Sequence, residues 1–324
     1  MVLTRQTRHS ARFGGLLCYA LTLACAASPG LPTRDLNPIL QSIYLPAYRE
    51  PLLDNAWRFS QALYITNTSQ VESRGNESLT IDVENYRVEL ALEKRRDDWV
   101  MQLAVPLMLN RGGFLDGTIQ DWHEFFQLPE GNRPGRQDGQ IDIEYLRDGN
   151  SYYRQNSASS GLGDLSLAIG YQPRAQASGY FVGIELPSGC ACDFSGNESL
   201  DLAVWMQHSG QIDADLHWYG LLGSSFPGNG GRLKNLLSEQ IWLAQFGASY
   251  RFDAMLSALL QFDLHTRTIK NSELKAFSNS LQMQLGLRIE QAAQKQNLDL
   301  FFSEDILVGS APDISFGLRF SQAY

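Results

Sequence analysis

The chain has 324 residues, with 26 Lys and Arg against 35 Asp and Glu and a formal net charge of −9, a balance that argues against a nucleic-acid partner. Its length and 44% hydrophobic content suffice for a large core, so composition is equally consistent with a soluble sandwich, a soluble barrel or a membrane barrel. No stretch of the sequence reaches the roughly 20 consecutive apolar residues of a spanning helix, which argues against an inner-membrane protein.

At the N-terminus Arg5, Arg8 and Arg12 precede an apolar run over residues 13–24, followed by Ala24, Cys25 and Ala26 in an A-x-A arrangement. This reads as a cleaved secretory signal over residues 1–26. Pro29, Gly30 and Pro32 follow at once and would end any helix. A lipoprotein site at Cys25 is the alternative, and Thr22 stands where such a site expects a large aliphatic residue.

Beyond the leader the chain is built from about twelve alternating segments of roughly ten residues, the length a tilted strand needs to cross the hydrocarbon. Met101, Leu103, Val105 and Leu107 alternate with Gln102, Ala104 and Pro106; Leu167, Ile169 and Tyr171 alternate with Ser166, Ala168 and Gly170. The same period recurs at 180–186, 200–206, 256–264 and 281–290, and more weakly at 57–66, 86–93, 214–222, 241–252 and 298–305. Connections alternate in length: short at 94–98, 173–178, 209–211, near Asp253 and at 291–296, long at 67–78, 110–161, 188–198, 223–238 and 267–277. Short periplasmic turns opposite long external loops are the asymmetry of an outer-membrane barrel.

The last strand is the clearest. Ile314, Phe316, Leu318, Phe320 and the terminal Tyr324 fall on one face, with Ser315, Gly317, Arg319, Ser321 and Ala323 on the other. A lipid-facing row ending in an aromatic suits the strand that closes a barrel, and Phe316, Leu318, Phe320 and Tyr324 are the expected barrel-assembly signal. The expected fold is therefore all-β, a transmembrane antiparallel up-and-down β-barrel of about twelve strands over residues 56–324. Residues 27–55 form an N-terminal periplasmic or plug-like segment.

The longest connection carries two features. Asp121 is placed to cap a short helix on which Trp122, Phe125 and Phe126 share a face, an apolar stripe expected to act as a loop lid on the barrel mouth. Further on, 141–145 and 152–155 flank Asp148, Gly149 and Asn150, a hairpin signal expected to extend above the membrane rather than to add spanning strands. The string Gly-Asn-Glu-Ser-Leu occurs at 75–79 and at 196–200; a Gly-Asn turn leading into a strand explains two such short copies. Cys190 and Cys192 remain in the mature chain, as a small loop disulfide or as free thiols.

Several of these segments together are similar to a family of uncharacterised outer-membrane β-barrel proteins of Gram-negative bacteria, known only as a domain of unknown function. The resemblance rests on Asn37 to Leu40 with Leu45 to Ala47, Ser73 to Gly75 with Glu77 to Leu79, Gly112 to Gly117, Trp122 and His123 with Leu128 and Pro129, Ser160 to Asp164, and Leu186 to Gly189. It implies a secreted outer-membrane barrel and supplies no activity, substrate or catalytic residue. The Cys190-Ala191-Cys192 insertion after the Pro-Ser-Gly turn departs from it.

Alternation places Arg87, Glu89, Glu185, Asp201, Asp213, Asp215, Arg251, Asp263, Arg288 and Arg319 on the polar face as lumen-lining candidates. The functional expectation is a passive pore or uptake channel for a small molecule, with outer-membrane lipid, the barrel-assembly machinery and a small-molecule or apolar ligand as partners. A structural or adhesive closed barrel is the alternative, its mixed charges neutralising one another inside. A lipid hydrolase is the third reading, because His265, Asp263 and Ser280 would share a face; ordinary lumen hydrogen bonding explains the same three residues. No cofactor or metal site is expected, and there is no HExxH or phosphate-binding glycine loop.

Overall fold

In the computed structural model residues 30–52, 55–117, 139–174 and 176–324 are described. The secretory signal and the Trp122, Phe125 and Phe126 stripe lie outside the described residues. Among these residues the chain forms fifteen strands: β1 Trp57–Arg74, β2 Glu77–Arg96, β3 Trp99–Arg111, β4 Asp142–Arg147, β5 Asn150–Gln155, β6 Ser159–Leu162, β7 Leu165–Tyr171, β8 Ser178–Leu186, β9 Asp201–Gln211, β10 Leu216–Phe226, β11 Ile241–Arg251, β12 Leu256–His265, β13 Ser280–Gln291, β14 Gln296–Asp305 and β15 Ile314–Ala323. Twelve of them close an antiparallel barrel: β3 pairs with β7, neighbours pair in sequence up to β15, and β15 returns to β1 from Arg58↔Ala323 to Asn67↔Ile314. Closure leaves no sheet edge in the barrel wall, which is what makes a β structure tolerable in hydrocarbon.

Period-two sequence becomes a two-faced wall. Leu202, Val204 and Met206 of β9 are each about 40% exposed on the outside, while Ala203, Trp205 and Gln207 are buried inside. Exposed Trp57, Trp99, Tyr171, Tyr180, Tyr250, Phe252 and Tyr324 all lie at the end of the barrel that carries the short turns. They form an aromatic girdle of the kind that marks a membrane interface. In it Trp99 meets Tyr171 edge-on with centroids 5.4 Å apart, and Lys94 lies 4.5 Å over the Trp57 ring.

Inside, large rings lie over cross-strand glycines. Phe181 opposes Gly170, Trp205 opposes Gly223, Tyr219 opposes Gly247, and Phe301 sits between Gly286 and Gly317. A Cβ on Gly317 would come within 2.1 Å of the Phe301 ring, and one on Gly247 within 2.2 Å of Tyr219. The missing side chain is thus the space the aromatic occupies, a pairing that also strengthens sheet curvature.

Two sequence expectations need correction. Residues 67–78 are not a loop: β1 and β2 run 18 and 20 residues and are joined by Gly75 and Asn76 alone. Since a tilted strand crosses hydrocarbon in about 9–11 residues, both project well past the membrane. The hairpin β4–β5 does not span, as expected, but neither does it stand free. β4 pairs with the projecting part of β2 from Glu77↔Arg147 to Asp82↔Asp142, and Ile143, Tyr145 and Tyr153 are at most 1% exposed in a cluster with Leu79, Ile81 and Phe277. Its turn consists of Asp148 and Gly149, both at positive φ, a two-residue hairpin connection.

The two Gly-Asn-Glu-Ser-Leu copies adopt different conformations. Gly75 has φ +55° in a tight hairpin turn, whereas the second copy places Glu198 at φ 57° and uses Asn197 to bind Asp201. The string is local turn chemistry used twice, without a shared structure.

Candidate functional site

The barrel interior is occupied by residues 30–52, a run without sheet pairing whose side chains are almost all buried. Its bonds to the wall trace its path. Leu31 donates its backbone N–H to Gln261 of β12 at 3.2 Å, the Thr33 hydroxyl donates to Asp263 at 2.7 Å, and Asp35 lies 2.9 Å from His265. The chain then turns through Asn37–Ser42 near the long-loop end, where Ile39, Leu40 and Ile43 join the apolar cluster, and Tyr44 donates its N–H to Asp201 at 3.1 Å. It descends past Gln245 and Gln207, with Tyr48 stacked on Tyr219 at 4.5 Å, to Glu50 beside Arg288 at 2.7 Å. Most of these bonds join wall side chains to the segment's backbone or polar groups, so they satisfy buried polar atoms that would otherwise be costly.

The charged wall residues sort into two groups. Arg87, Glu89, Glu185, Asp201, Asp263, Arg288 and Arg319 are buried on the inner face of the wall. Asp299 of β14 ties two of them together: it accepts from Arg288 at 2.6 Å and from Arg319 at 2.7 Å, with Arg288 and Asp299 both fully buried. Glu89 accepts from Arg87 at 2.9 Å and Arg49 at 3.1 Å. Asp213, Asp215 and Arg251 depart from the expectation. They are exposed at the short turns, Arg251 lying 3.6 Å from Asp215, because their alternation is right but they stand at or beyond the strand ends.

Arg34, Arg49, Glu50, Asp35 and Asp299 were absent from the sequence-derived set. Asp299 was accessible to the same alternation, standing between outward Leu298 and Leu300. The first four sit on a segment with no period to read.

The suggested triad does not assemble. The Nε2 of His265 faces Asp35 at 2.9 Å and its Nδ1 faces the Thr266 carbonyl at 2.9 Å, so neither ring nitrogen is directed at Ser280. Asp263 instead receives Thr33 and Gln261. Cys190 and Cys192 form a disulfide in the 187–200 loop, which removes the two thiolates a soft metal would need from the Cys190, Cys192 and Asp193 cluster. That loop is also pinned by Asp164, which accepts the N–H groups of Gly189 at 2.7 Å and Asn197 at 2.9 Å. Burial pushes the Asp164 carboxyl above its ordinary value against the pull of these bonds.

No curated protein sequence matches the chain. Its fold is similar to that of an outer-membrane channel from Pseudomonas putida F1, at 13% identity and a TM-score of 0.53 over 87% of this chain and 98% of that one. It is also similar to the NanC porin, at 7% identity and a TM-score of 0.44 over 82% and 98% of the two chains. A third likeness is to the P. putida toluene transporter TodX, at 9% identity and a TM-score of 0.42 over 84% and 91%. At 13% identity the first of these likenesses is one of fold. A family model covers residues 23–322, nearly the whole sequence, and the chain accordingly belongs to the DUF3187 family of proteins of unknown function.

Proposed function

We propose that the protein is an outer-membrane channel that admits small molecules and is closed at rest by residues 30–52. One observation carries this reading: the wall presents polar and charged groups to the interior, and a segment that belongs to no strand supplies their partners. A barrel built only for structure can fill its interior with wall side chains alone. A polar wall closed by a separable segment keeps an aqueous path in reserve. The similarity to an outer-membrane channel fold is consistent with this use.

The buried Arg288, Asp299 and Arg319 cluster favours the second reading, a permanently closed barrel whose charges neutralise one another. Planar-bilayer recordings separate the two. The intact protein should show rare, brief openings, and a form lacking residues 30–50 but retaining the leader should conduct steadily. Silence from both forms, with the heat-modifiable barrel intact, would leave the closed barrel standing.

A further inference from the structure

At the long-loop end the lipid-facing wall runs on into an exposed apolar turn. Ile306, Leu307 and Val308, which follow β14, are 43%, 46% and 66% exposed. Ile306 and Leu307 donate their N–H groups to the Leu281 carbonyl of β13 at 2.8 and 3.3 Å. Leu281 heads the outward row of that strand, above Leu285, Leu287 and Ile289. Leu281 and Ile289 are eight positions apart, a rise of about 20 Å for a strand tilted by about 40°. The apolar band of such a barrel is about 25 Å tall, so the turn stands where hydrocarbon gives way to headgroups. Two strands away, Trp242 is 54% exposed and paired through its backbone with Thr266, an aromatic marker of the same boundary.

Two cations sit beside the turn. The stem of Lys275 lies against it, since a Cβ on Gly309 would fall 3.5 Å from the Lys275 Cδ. Ser278 donates its N–H to the Lys275 carbonyl at 2.9 Å, and the adjacent Asn279 side chain accepts the N–H of Arg267 at 3.1 Å. Both cationic residues are exposed, and among the described residues no carboxylate comes within 4.0 Å of either charged group. Acids close by serve the backbone instead. Glu72 accepts the Lys275 N–H at 2.7 Å, and Asp305 accepts that of Gly309 at 2.6 Å.

We infer that this patch binds a phosphate-bearing lipid of the outer leaflet, with Ile306, Leu307 and Val308 against its acyl chains and Arg267 and Lys275 on its phosphate. Apolar side chains beneath exposed cations at headgroup depth match an anionic amphiphile in both halves. A free phosphate would leave the turn uncovered, and a neutral lipid would leave both cations unpaired. The inference rests on the outer-membrane barrel and is independent of whether the interior conducts.

The test uses the full mature chain in detergent, with retained lipid counted by native mass spectrometry. Diphosphoryl lipid A should bind saturably, and the same lipid stripped of its phosphates should bind at least about tenfold more weakly, as should the Arg267→Gln, Lys275→Gln double variant with the intact lipid. Replacing Ile306, Leu307 and Val308 by Ser should also weaken binding, because the acyl contact is lost. Arg96→Gln removes an exposed cation at the short-turn end and should change nothing. All these positions are exposed, and heat-modifiable mobility verifies that each variant is folded. Equal retention of the two lipids, an equal loss in Arg96→Gln, or full retention in the double variant would overturn the site. Displacement of the lipid by inorganic phosphate would assign the cations to a free anion. A dimer that excludes lipid would assign the turn to a second copy of the chain. Either result refutes the lipid site.

Discussion

Glu50, the last charged residue of the interior segment, lies 2.7 Å from Arg288 of β13, a guanidinium with no exposed surface. Arg288 also binds Asp299, so one wall residue anchors both the segment and a neighbouring strand. The two partners should therefore respond differently to substitution. Glu50→Gln removes a charge from the segment while Arg288 keeps Asp299, and should loosen residues 30–52 without harming the barrel. Arg288→Met leaves Asp299 with Arg319 as its remaining cationic partner and should destabilise the barrel by about 3–5 kcal/mol. Urea unfolding of each variant refolded into vesicles measures the barrel, and bilayer conductance measures the segment. Equal barrel stability in both would show that the anchor is not shared.

The closing strand makes a second prediction. Tyr324 and Trp57 exchange backbone hydrogen bonds at 2.8 and 3.2 Å, completing the β15–β1 seam, and both rings are exposed at the short-turn end. Tyr324→Asp should impair membrane assembly in cells far more than Ala323→Asp, because only the former puts a charge at the aromatic girdle. The heat-modifiable fraction recovered from outer membranes checks this. Equal losses would contradict a role for the terminal face in assembly.

What the sequence made legible follows from where alternation has a physical cause. Lipid on one side and buried polar groups on the other impose period two on β9, β13 and β15, so their faces and even Arg288 and Arg319 could be assigned. The outer half of β2 meets the β4–β5 hairpin, and that of β1 meets loop residues Asp116, Gly309 and Lys275, instead of lipid. The Thr-Asn-Thr-Ser-Gln sequence of β1 therefore looks like a loop. Parity placed Asp213, Asp215 and Arg251 inside because alternation gives the face without giving the end of the strand. Residues 30–52 meet wall positions such as Gln261 and Asp263 about 230 positions away, and no local pattern encodes such contacts. Arg34, Arg49 and Glu50 were invisible for that reason.

The disulfide gives a third prediction. Cys190 and Cys192 are two positions apart, so the bond closes too small a loop to restrict the unfolded chain greatly. The same loop is held by Asp164 through Gly189 and Asn197, and by Glu198 through the Ala191 N–H at 3.2 Å. Replacing both cysteines by Ser should leave the stability measured by urea unfolding nearly unchanged, whereas Asp164→Ala, which abandons one buried and one half-buried N–H group, should lower it by about 1–3 kcal/mol. A larger loss from the cysteine pair than from Asp164 would reverse this ranking.

The glycine and aromatic pairs of the interior supply the last prediction. Phe301 and Tyr219 occupy the space above Gly317 and Gly247 so closely that an added methyl overlaps the ring. Neither ring can swing away freely, since Phe301 packs against Tyr64 at 5.9 Å and Tyr219 is stacked on Tyr48 and donates its hydroxyl to Gln261 at 2.7 Å. Gly317→Ala and Gly247→Ala should each cost about 1–3 kcal/mol through overpacking. Gly220→Ala is the control: a Cβ there meets only a backbone oxygen at 3.4 Å, ordinary contact. The cost at Gly247 has a second consequence, because displacing Tyr219 also displaces Tyr48 of the interior segment. Gly247→Ala should therefore raise conductance as well as lower stability, and Gly317→Ala should do the same, because Phe301 shares a buried cluster with Leu31 and Leu36 of the segment. Unchanged conductance in both variants would separate these ring contacts from closure of the channel.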